Sequence, residues 1–111
     1  MALKKEEILE ALKTVHDPEI PVDIVNLGLI LDVVSDRESI TVTMRTTAPT
    51  CPVGDYLAAE VERAIRDLCQ VERLLGGGEP IPKISVQVVD NPPWSPSAMT
   101  DEARRALGDR V

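Results

Sequence analysis

Hydrophobic residues recur at helical spacing in two stretches of the chain. The first runs from Lys4 to Val15, and His16-Asp17-Pro18 ends it because the residue before a proline avoids the helical region. The second begins near Cys51, where Pro52 suits the first helical position, and ends at Gly76-Gly77-Gly78. Its apolar stripe consists of Val53, Leu57, Val61, Ala64, Ile65 and Leu68. Both stretches are predicted to be helices that bury one face.

Alternating or continuous apolar runs predict three strands. The first is Leu29 to Val34, the second Ile40 to Met44, and the third Ile84 to Val88. The short turn Ser35-Asp36-Arg37 joins the first two strands, which indicates a hairpin. The stretch from Ile20 to Asn26, which precedes the first strand, is predicted to be extended.

The resulting order of elements is α-β-β-α-β-α. The last helix is predicted from an N-cap at Thr100 to Leu107, after a Pro-rich loop over 91–99, and a flexible loop is predicted over 76–82. Helices and strands that do not alternate one for one favour an α+β domain of two layers. We therefore expect one domain over residues 1–111, with helices packed on one face of a small, mainly antiparallel sheet.

Composition and charge narrow the classes of function. Hydrophobic residues make up 43% of the chain but aromatic residues only 2%, so aliphatic side chains must fill the core. The formal net charge of −7 disfavours nucleic acid as a partner. No apolar run approaches the roughly 20 residues of a membrane span. Two cysteines and a charged, amphipathic N-terminal stretch predict a cytoplasmic protein without a disulfide framework.

Cys51 is the strongest candidate for chemistry. It stands at the predicted start of a helix, where free N–H groups and the helix dipole lower the pKa of a thiol. A thiolate there could bind a soft metal or act as a nucleophile, although a buried structural cysteine is an equally good interpretation. Cys69 lies 18 residues further on, roughly 27 Å along a straight helix, which excludes it as a partner of Cys51 within one chain. We interpret Cys69 as structural.

Three other features carry weaker signals. Asp17 and Glu19 flank a proline beside His16 and could bind a metal or move protons, but a turn cap with a surface histidine is the simpler interpretation. Asp32 is a carboxylate within an apolar strand, which the wetter face of a sheet explains. Trp94 stands in a stiff, proline-rich segment, where it could bind a partner or close the core.

Three segments, in order, resemble the SufT- and PaaD-like domain of iron–sulfur cluster assembly proteins. The first is Asp17-Pro18-Glu19-Ile20 with Ile24 to Leu29, and the second runs from Met44 through Thr50-Cys51-Pro52 to Tyr56. The third is Pro92 to Pro96 with Met99-Thr100 and Ala103-Arg104. The likeness spans roughly residues 5 to 108.

The resemblance implies a fold like that of other iron–sulfur assembly domains and a role in cluster maturation. It implies that Cys51 contacts the iron or cluster and that Asp17, Glu19, Thr50 and Trp94 lie in or near its pocket. The chain departs from the pattern in two places. Asn26 stands where the family usually has Asp, which puts in doubt any metal-binding or acid–base role at this position. The stretch 75–82 is longer than the usual connection to the last strand.

Three hypotheses follow. The leading one is a non-catalytic factor that holds an iron–sulfur cluster or iron transiently on Cys51, with client apo-proteins and other assembly proteins as partners. Since one thiolate cannot satisfy a cluster, the other ligands must come from outside the chain, and a homodimer is one source. The alternative is an adaptor for a metal-dependent oxygenase, with Cys51 structural. An enzyme with Cys51 as nucleophile and His16 as base ranks last.

Overall fold

The computed structural model describes residues 3–18, 20–47, 53–76 and 80–107. Four α-helices and three strands lie within these ranges, and a short 3-10 helix precedes the last α-helix. In chain order they are α1 (Lys5–Leu12), α2 (Ile24–Leu27), β1 (Ile30–Ser35), β2 (Ser39–Met44), α3 (Val53–Gly76), β3 (Lys83–Val88), the 3-10 helix (Pro96–Ala98) and α4 (Asp101–Ala106). The predicted order is confirmed, with α2 and the 3-10 helix added to it.

The three strands form one sheet with β2 in the centre. β1 pairs with β2 antiparallel, as the predicted hairpin requires, and β3 pairs with β2 parallel. The sheet is therefore mixed, whereas the sequence suggested a mainly antiparallel one. The reason is α3, which carries the chain back along the sheet so that β3 starts at the same end as β2. The α+β class is confirmed.

The core lies between one face of the sheet and the helices. On β2 the alternate residues Ile40, Val42 and Met44 are fully buried, while the residues between them are partly exposed. From α3 the stripe side chains Leu57 and Val61 are buried against them. Helices α1 and α3 contact each other, and each also contacts the sheet. The buried hydrophobic residues are aliphatic or sulfur-containing, as the shortage of aromatic residues predicted.

The segment between α1 and β1 differs from its prediction. Helix α1 ends at Leu12, and Val15 leaves the helical path because its carbonyl accepts the N–H of Ile24. Within the stretch predicted to be extended, residues Ile24–Leu27 form the short helix α2. The cause is Asp23, whose carboxylate accepts the backbone N–H groups of Val25 and Asn26 as an N-cap.

Gly28 ends α2 in the left-handed conformation, with φ at 87°. A Cβ at this position would lie 2.5 Å from the carbonyl oxygen of Ala98, on the 3-10 helix that packs over the turn. Glycine is required here by both its conformation and its size.

The last helix, α4, agrees with its prediction. Thr100 Oγ1 accepts the N–H of Ala103 at 3.2 Å and caps α4, as expected. The predicted loop over 76–82 is described only at Gly76 and at 80–82, so its flexibility stays a prediction. No helix of the described ranges is long and apolar enough to cross a membrane.

Candidate functional site

Arg45 fixes the chain where β2 ends. Its backbone N–H donates to the carbonyl of Leu29 at 2.9 Å, and its side-chain Nε donates to the carbonyl of Gly28 at 3.1 Å. Its Nη1 donates to the carbonyls of Pro92 and Pro93, at 3.2 Å each. One guanidinium therefore joins the end of α2 to the Pro-rich loop.

Trp94 makes a second connection between the same two segments. Its indole Nε1–H donates to the carbonyl of Leu27 at 2.6 Å, and its ring is half-buried against the core. The interpretation of Trp94 as a residue that closes a core poor in aromatic residues is thus confirmed. The loop that carries it is fixed to α2 by both Trp94 and Arg45.

A cleft of about 180 Å³ lies beyond the carboxyl ends of β2 and β3, and we name it the strand-end cleft. The residues that line it are Arg45, Thr46, Thr47, Val89, Asp90, Pro93 and Trp94. The first turn of α3 is adjacent, since a Cβ on Gly54 would lie 3.5 Å from Val88 and 3.6 Å from Thr46. Residues that precede the segment 48–52 in the sequence thus line the cleft, and residues that follow this segment lie beside it.

A second cleft, of about 170 Å³, includes Asn26 of α2 in its lining, and we name it the His16 cleft. The residues that line it are His16, Pro21, Val22, Asp23, Asn26, Glu102 and Ala103. Lys13 lies nearby, and its pKa is raised mainly by its hydrogen bond to Glu10, with smaller contributions from Glu102 and Asp23. The imidazole of His16 is exposed, with Nδ1 3.4 Å from the carbonyl of Thr14.

A chain of side-chain hydrogen bonds joins two residues that line the His16 cleft to the N-cap of α4. Asn26 Nδ2 donates to Asp23 Oδ1 at 2.8 Å, and Asn26 Oδ1 lies 2.8 Å from Thr100 Oγ1, which donates to it. The backbone N–H of Thr100 also donates to the carbonyl of Asn26 at 2.9 Å. Asn26 therefore connects the cap of α2 to the cap of α4. This structural role uses the amide of Asn26, at the position where the resembled family usually has Asp.

The structure describes two of the five predicted site residues. Trp94 lines the strand-end cleft, and Asp17 is buried beside the turn that follows α1. Asp17 Oδ1 accepts the N–H of Ile20 at 3.1 Å, as expected of a turn cap, and Asp17 lines neither cleft. Glu19, Thr50 and Cys51 lie outside the described residues. Within the described ranges, no group of three or more His, Cys, Asp or Glu side chains could hold a metal ion.

Cys69 has the properties of a structural residue. It lies on the continuous helix α3, its side chain is fully buried, and it forms no disulfide. Burial raises the pKa of its thiol, and the nearby carboxylate of Glu72 raises it further. The thiol is therefore held in its neutral, unreactive form.

Sequence reasoning missed Arg45 and Asp90 as residues of the strand-end cleft. No role was assigned to Arg45 from the sequence, where it directly follows the predicted strand Ile40 to Met44. The signal that could have identified it is its place at the carboxyl end of a strand, directly after the last buried residue, Met44. Asp90 stands two residues after the end of β3, at the same edge of the sheet, and gave no other signal.

The chain is similar to known proteins over most of its length. The family model described as "Iron-sulfur cluster assembly protein" matches residues 5–74. The chain is 41% identical over 105 residues to the Fe-S protein maturation auxiliary factor YitW of Bacillus subtilis, covering 94% of this chain and 93% of that protein. It is 34% identical over 95 residues to the Fe-S protein maturation auxiliary factor SufT of Staphylococcus aureus, covering 85% and 97% respectively.

Among solved structures, the fold is similar to a crystal structure of a domain of unknown function, DUF59, from Bacillus anthracis. The TM-score is 0.79 with 36% sequence identity, and the match covers 96% of this chain and 92% of that one. The strand-end cleft and the His16 cleft thus belong to a fold that relatives share over nearly their whole length.

Proposed function

The chain belongs to the iron–sulfur cluster assembly protein family, and we propose that it is an accessory factor that helps assemble clusters or deliver them to client proteins. The observation that carries the proposal is the 41% identity to a maturation auxiliary factor over 94% of the chain. In this role the cluster or its iron is cargo, and the protein catalyses no reaction of its own. Its partners are client apo-proteins and other iron–sulfur assembly proteins.

The proposed contact with the cargo is Cys51. In the sequence it stands between Thr47, which lines the strand-end cleft, and Val53, the first residue of α3. A thiolate two residues before a long helix is favoured by the positive end of the helix dipole. Cys69 is fully buried on α3 and does not serve as a second ligand, so the remaining ligands of a cluster held by Cys51 come from outside the chain.

The strand-end cleft is the proposed place where the cargo is transiently held. Arg45 and Trp94 fix the Pro-rich wall of this cleft to α2, so the wall is formed before any cargo arrives. Pre-organisation of this kind reduces the free-energy cost of ordering a loop on binding. On the family resemblance, Thr50 and Glu19 are proposed to lie in or near the pocket that holds the cargo. Asp17 is proposed to lie near that pocket but outside the lining of the strand-end cleft.

Anaerobic reconstitution with iron and sulfide tests the role of Cys51. We expect the reconstituted protein to show thiolate-to-iron absorption that Cys51→Ala loses and Cys69→Ala keeps. Native mass spectrometry of the same samples would report bound iron and sulfide directly. Equal spectra for the wild type and Cys51→Ala would refute the contact.

A client-maturation assay separates this proposal from the adaptor hypothesis. If Cys51 carries the cargo, Cys51→Ala should fail to mature a client apo-protein. If Cys51→Ala matures the client normally and Trp94→Ala does not, the chain acts as an adaptor through its Pro-rich loop. Melting curves of both variants control for loss of the fold.

A further inference from the structure

Two charged residues line the strand-end cleft, and they are not paired with each other. Among the described residues of the lining these are Arg45 and Asp90. Arg45 is partly buried, and Asp90 is exposed. Neither takes part in an ion pair within the part of the chain that the structure describes. The positive charge of Arg45 therefore has no carboxylate partner among these residues.

The hydrogen bonds of Arg45 hold its guanidinium in place but do not remove its charge. Nη1 donates to the carbonyl of Pro93, which itself lines the cleft, so the guanidinium stands at the cleft wall. The three acceptors of the side chain are backbone carbonyls, which are neutral. In the described ranges no hydrogen bond uses Nη2, which carries further N–H groups. Arg45 thus combines a fixed position, a full positive charge and donors that none of the described residues accepts.

The surroundings of the two charges decide the sign of the potential in the cleft. Water screens the exposed carboxylate of Asp90 more strongly than the partly buried guanidinium of Arg45. Thr46 and Thr47 also line the cleft, and their hydroxyl groups can donate to an anion. The chain as a whole carries a net charge of −7, which repels anions at long range. Attraction of an anion is therefore a local property of this cleft and depends on Arg45.

The proposed cargo exists in two forms of opposite charge. A cluster takes four thiolate ligands, whose charges exceed that of its iron–sulfide core, so the complex is an anion. A bare ferrous ion is a cation and prefers imidazole and carboxylate ligands. The described residues hold no group of three or more such ligands, and the charge of Arg45 repels the ion. The cleft therefore suits the anionic form of the cargo.

We propose that Arg45 determines the specificity of the strand-end cleft, because it selects an anionic, thiolate-ligated iron–sulfur cluster over a bare ferrous ion. Its charge attracts the complex, and its Nη2–H groups donate to a sulfide or thiolate sulfur. The bonds to Pro92 and Pro93 fix the guanidinium before the cargo arrives, so little rotamer entropy is lost on binding. This inference rests on the proposed function and deepens it, since it names the form in which the cargo is held.

Anaerobic titration calorimetry of the full chain with two probes tests this selectivity. The probes are the glutathione complex of a [2Fe–2S] cluster and ferrous ion alone. We expect the wild type to bind the complex at least about ten times more tightly than ferrous ion. Arg45→Gln should raise the dissociation constant of the complex about tenfold and should not weaken the binding of ferrous ion. Arg45→Lys, which keeps the charge, should stay within about threefold of the wild type for both probes.

Two further variants separate the local charge from the net charge of the chain. Arg73→Gln removes the same charge from an exposed residue near the other end of α3 from Gly54, roughly 28 Å along the helix. It should leave the dissociation constants of both probes unchanged. Asp90→Asn removes a carboxylate from the cleft lining and should lower the dissociation constant of the complex about two- to threefold.

Melting curves of every variant show whether the fold is kept. Equal binding of the complex by the wild type and by folded Arg45→Gln would overturn the inference alone. So would an equal loss of affinity in Arg45→Lys and Arg45→Gln, since Arg45 would then act only through its bonds to the Pro-rich loop. If Arg45→Gln does not fold, an unchanged affinity of Asp90→Asn for the complex would overturn the inference. A wild type that binds neither probe would overturn the proposed function as well.

Discussion

The strand-end cleft and the His16 cleft are both fastened to α2, but by different kinds of hydrogen bond. At the strand-end cleft, the side chains of Trp94 and Arg45 donate to backbone carbonyls of Leu27 and Gly28. At the His16 cleft, the bonds run between side chains, from Asp23 through Asn26 to Thr100. The hydrogen bonds of the strand-end cleft therefore require only the backbone conformation of α2, whereas those of the His16 cleft also require particular side chains.

This difference separates hydrogen bonds that depend on the side chains of α2 from those that do not. The carbonyl of residue 27 accepts the indole N–H of Trp94 whatever side chain stands there, whereas the buried Leu27 side chain is itself part of the core. Asn26 is different, because it must donate to a carboxylate at one end and accept from a hydroxyl at the other. Among the common side chains only an amide does both at this length. Three substitutions, ordered by expected effect, test this comparison.

Gly28→Ala should be the most damaging, because both clefts depend on the turn that Gly28 makes. The added Cβ would stand 2.5 Å from the carbonyl oxygen of Ala98, in a left-handed conformation that alanine disfavours. We expect a loss of about 4 kcal/mol in the free energy of unfolding, measured by urea denaturation. Gly54→Ala is the matched control, since its Cβ would meet only ordinary contacts. It should be neutral or stabilising, by up to about 1 kcal/mol.

Asn26→Asp should act on the His16 cleft. Aspartate cannot donate to Asp23, and two carboxylates would face each other at a position where the structure has a 2.8 Å hydrogen bond. We expect a loss of about 2 kcal/mol at neutral pH. Below about pH 4 the loss should shrink, because the folded variant then holds a shared proton that the unfolded chain binds less tightly. Stability of the variant should therefore fall as the pH rises.

The exchange Asp23→Asn with Asn26→Asp is the control for that variant. An amide at position 23 can still accept the N–H groups of Val25 and residue 26, and it can donate to the new carboxylate. The double variant should recover most of the lost stability. A double variant as unstable as Asn26→Asp alone would show that the damage lies elsewhere.

Trp94→Phe should have the smallest effect, confined to the strand-end cleft. The ring remains to pack on the core, but the carbonyl of Leu27 loses its donor at 2.6 Å. We expect a loss of about 1 kcal/mol, measured by thermal or urea denaturation. Tyr56→Phe, at an aromatic residue that is 51% exposed, should change stability by less than about 0.5 kcal/mol. If Trp94→Phe were as stable as the wild type, the hydrogen bond from Trp94 to Leu27 would not contribute to stability.

The sequence was sufficient to predict the elements in which a hydrophobic pattern repeats over many residues or a clear capping residue is present. The stripe of α3, the alternation of β2 and the cap at Thr100 all appear in the structure as predicted. It was not sufficient for α2, because a four-residue helix has no period to detect and is fixed by the Asp23 carboxylate. Nor did it give the parallel direction of β3, which depends on the path of a crossover helix rather than on the strand's own residues.

The candidate site was predictable only where its residues are unusual. Trp94 is conspicuous because the chain has one tryptophan, and the structure places it in the strand-end cleft. Arg45 and Asp90 are ordinary charged residues, and what makes them part of a cleft is the folding of two strand ends to one place. The contact between Trp94 and Leu27 spans 67 residues, beyond the reach of any local pattern.

That long separation has a consequence for the synthesis of the chain. A four-residue helix is far below the roughly 12 to 15 residues at which isolated helices become stable in water. Arg45, which follows Gly28 by 17 positions, can bond to the end of α2 early, but Trp94 and Thr100 follow their partners on α2 by 67 and 74 positions. During translation α2 is therefore made early, and its bonds to Trp94 and Thr100 form only after those residues have left the ribosome. The sheet and α3 can assemble first, and the two clefts are completed afterwards.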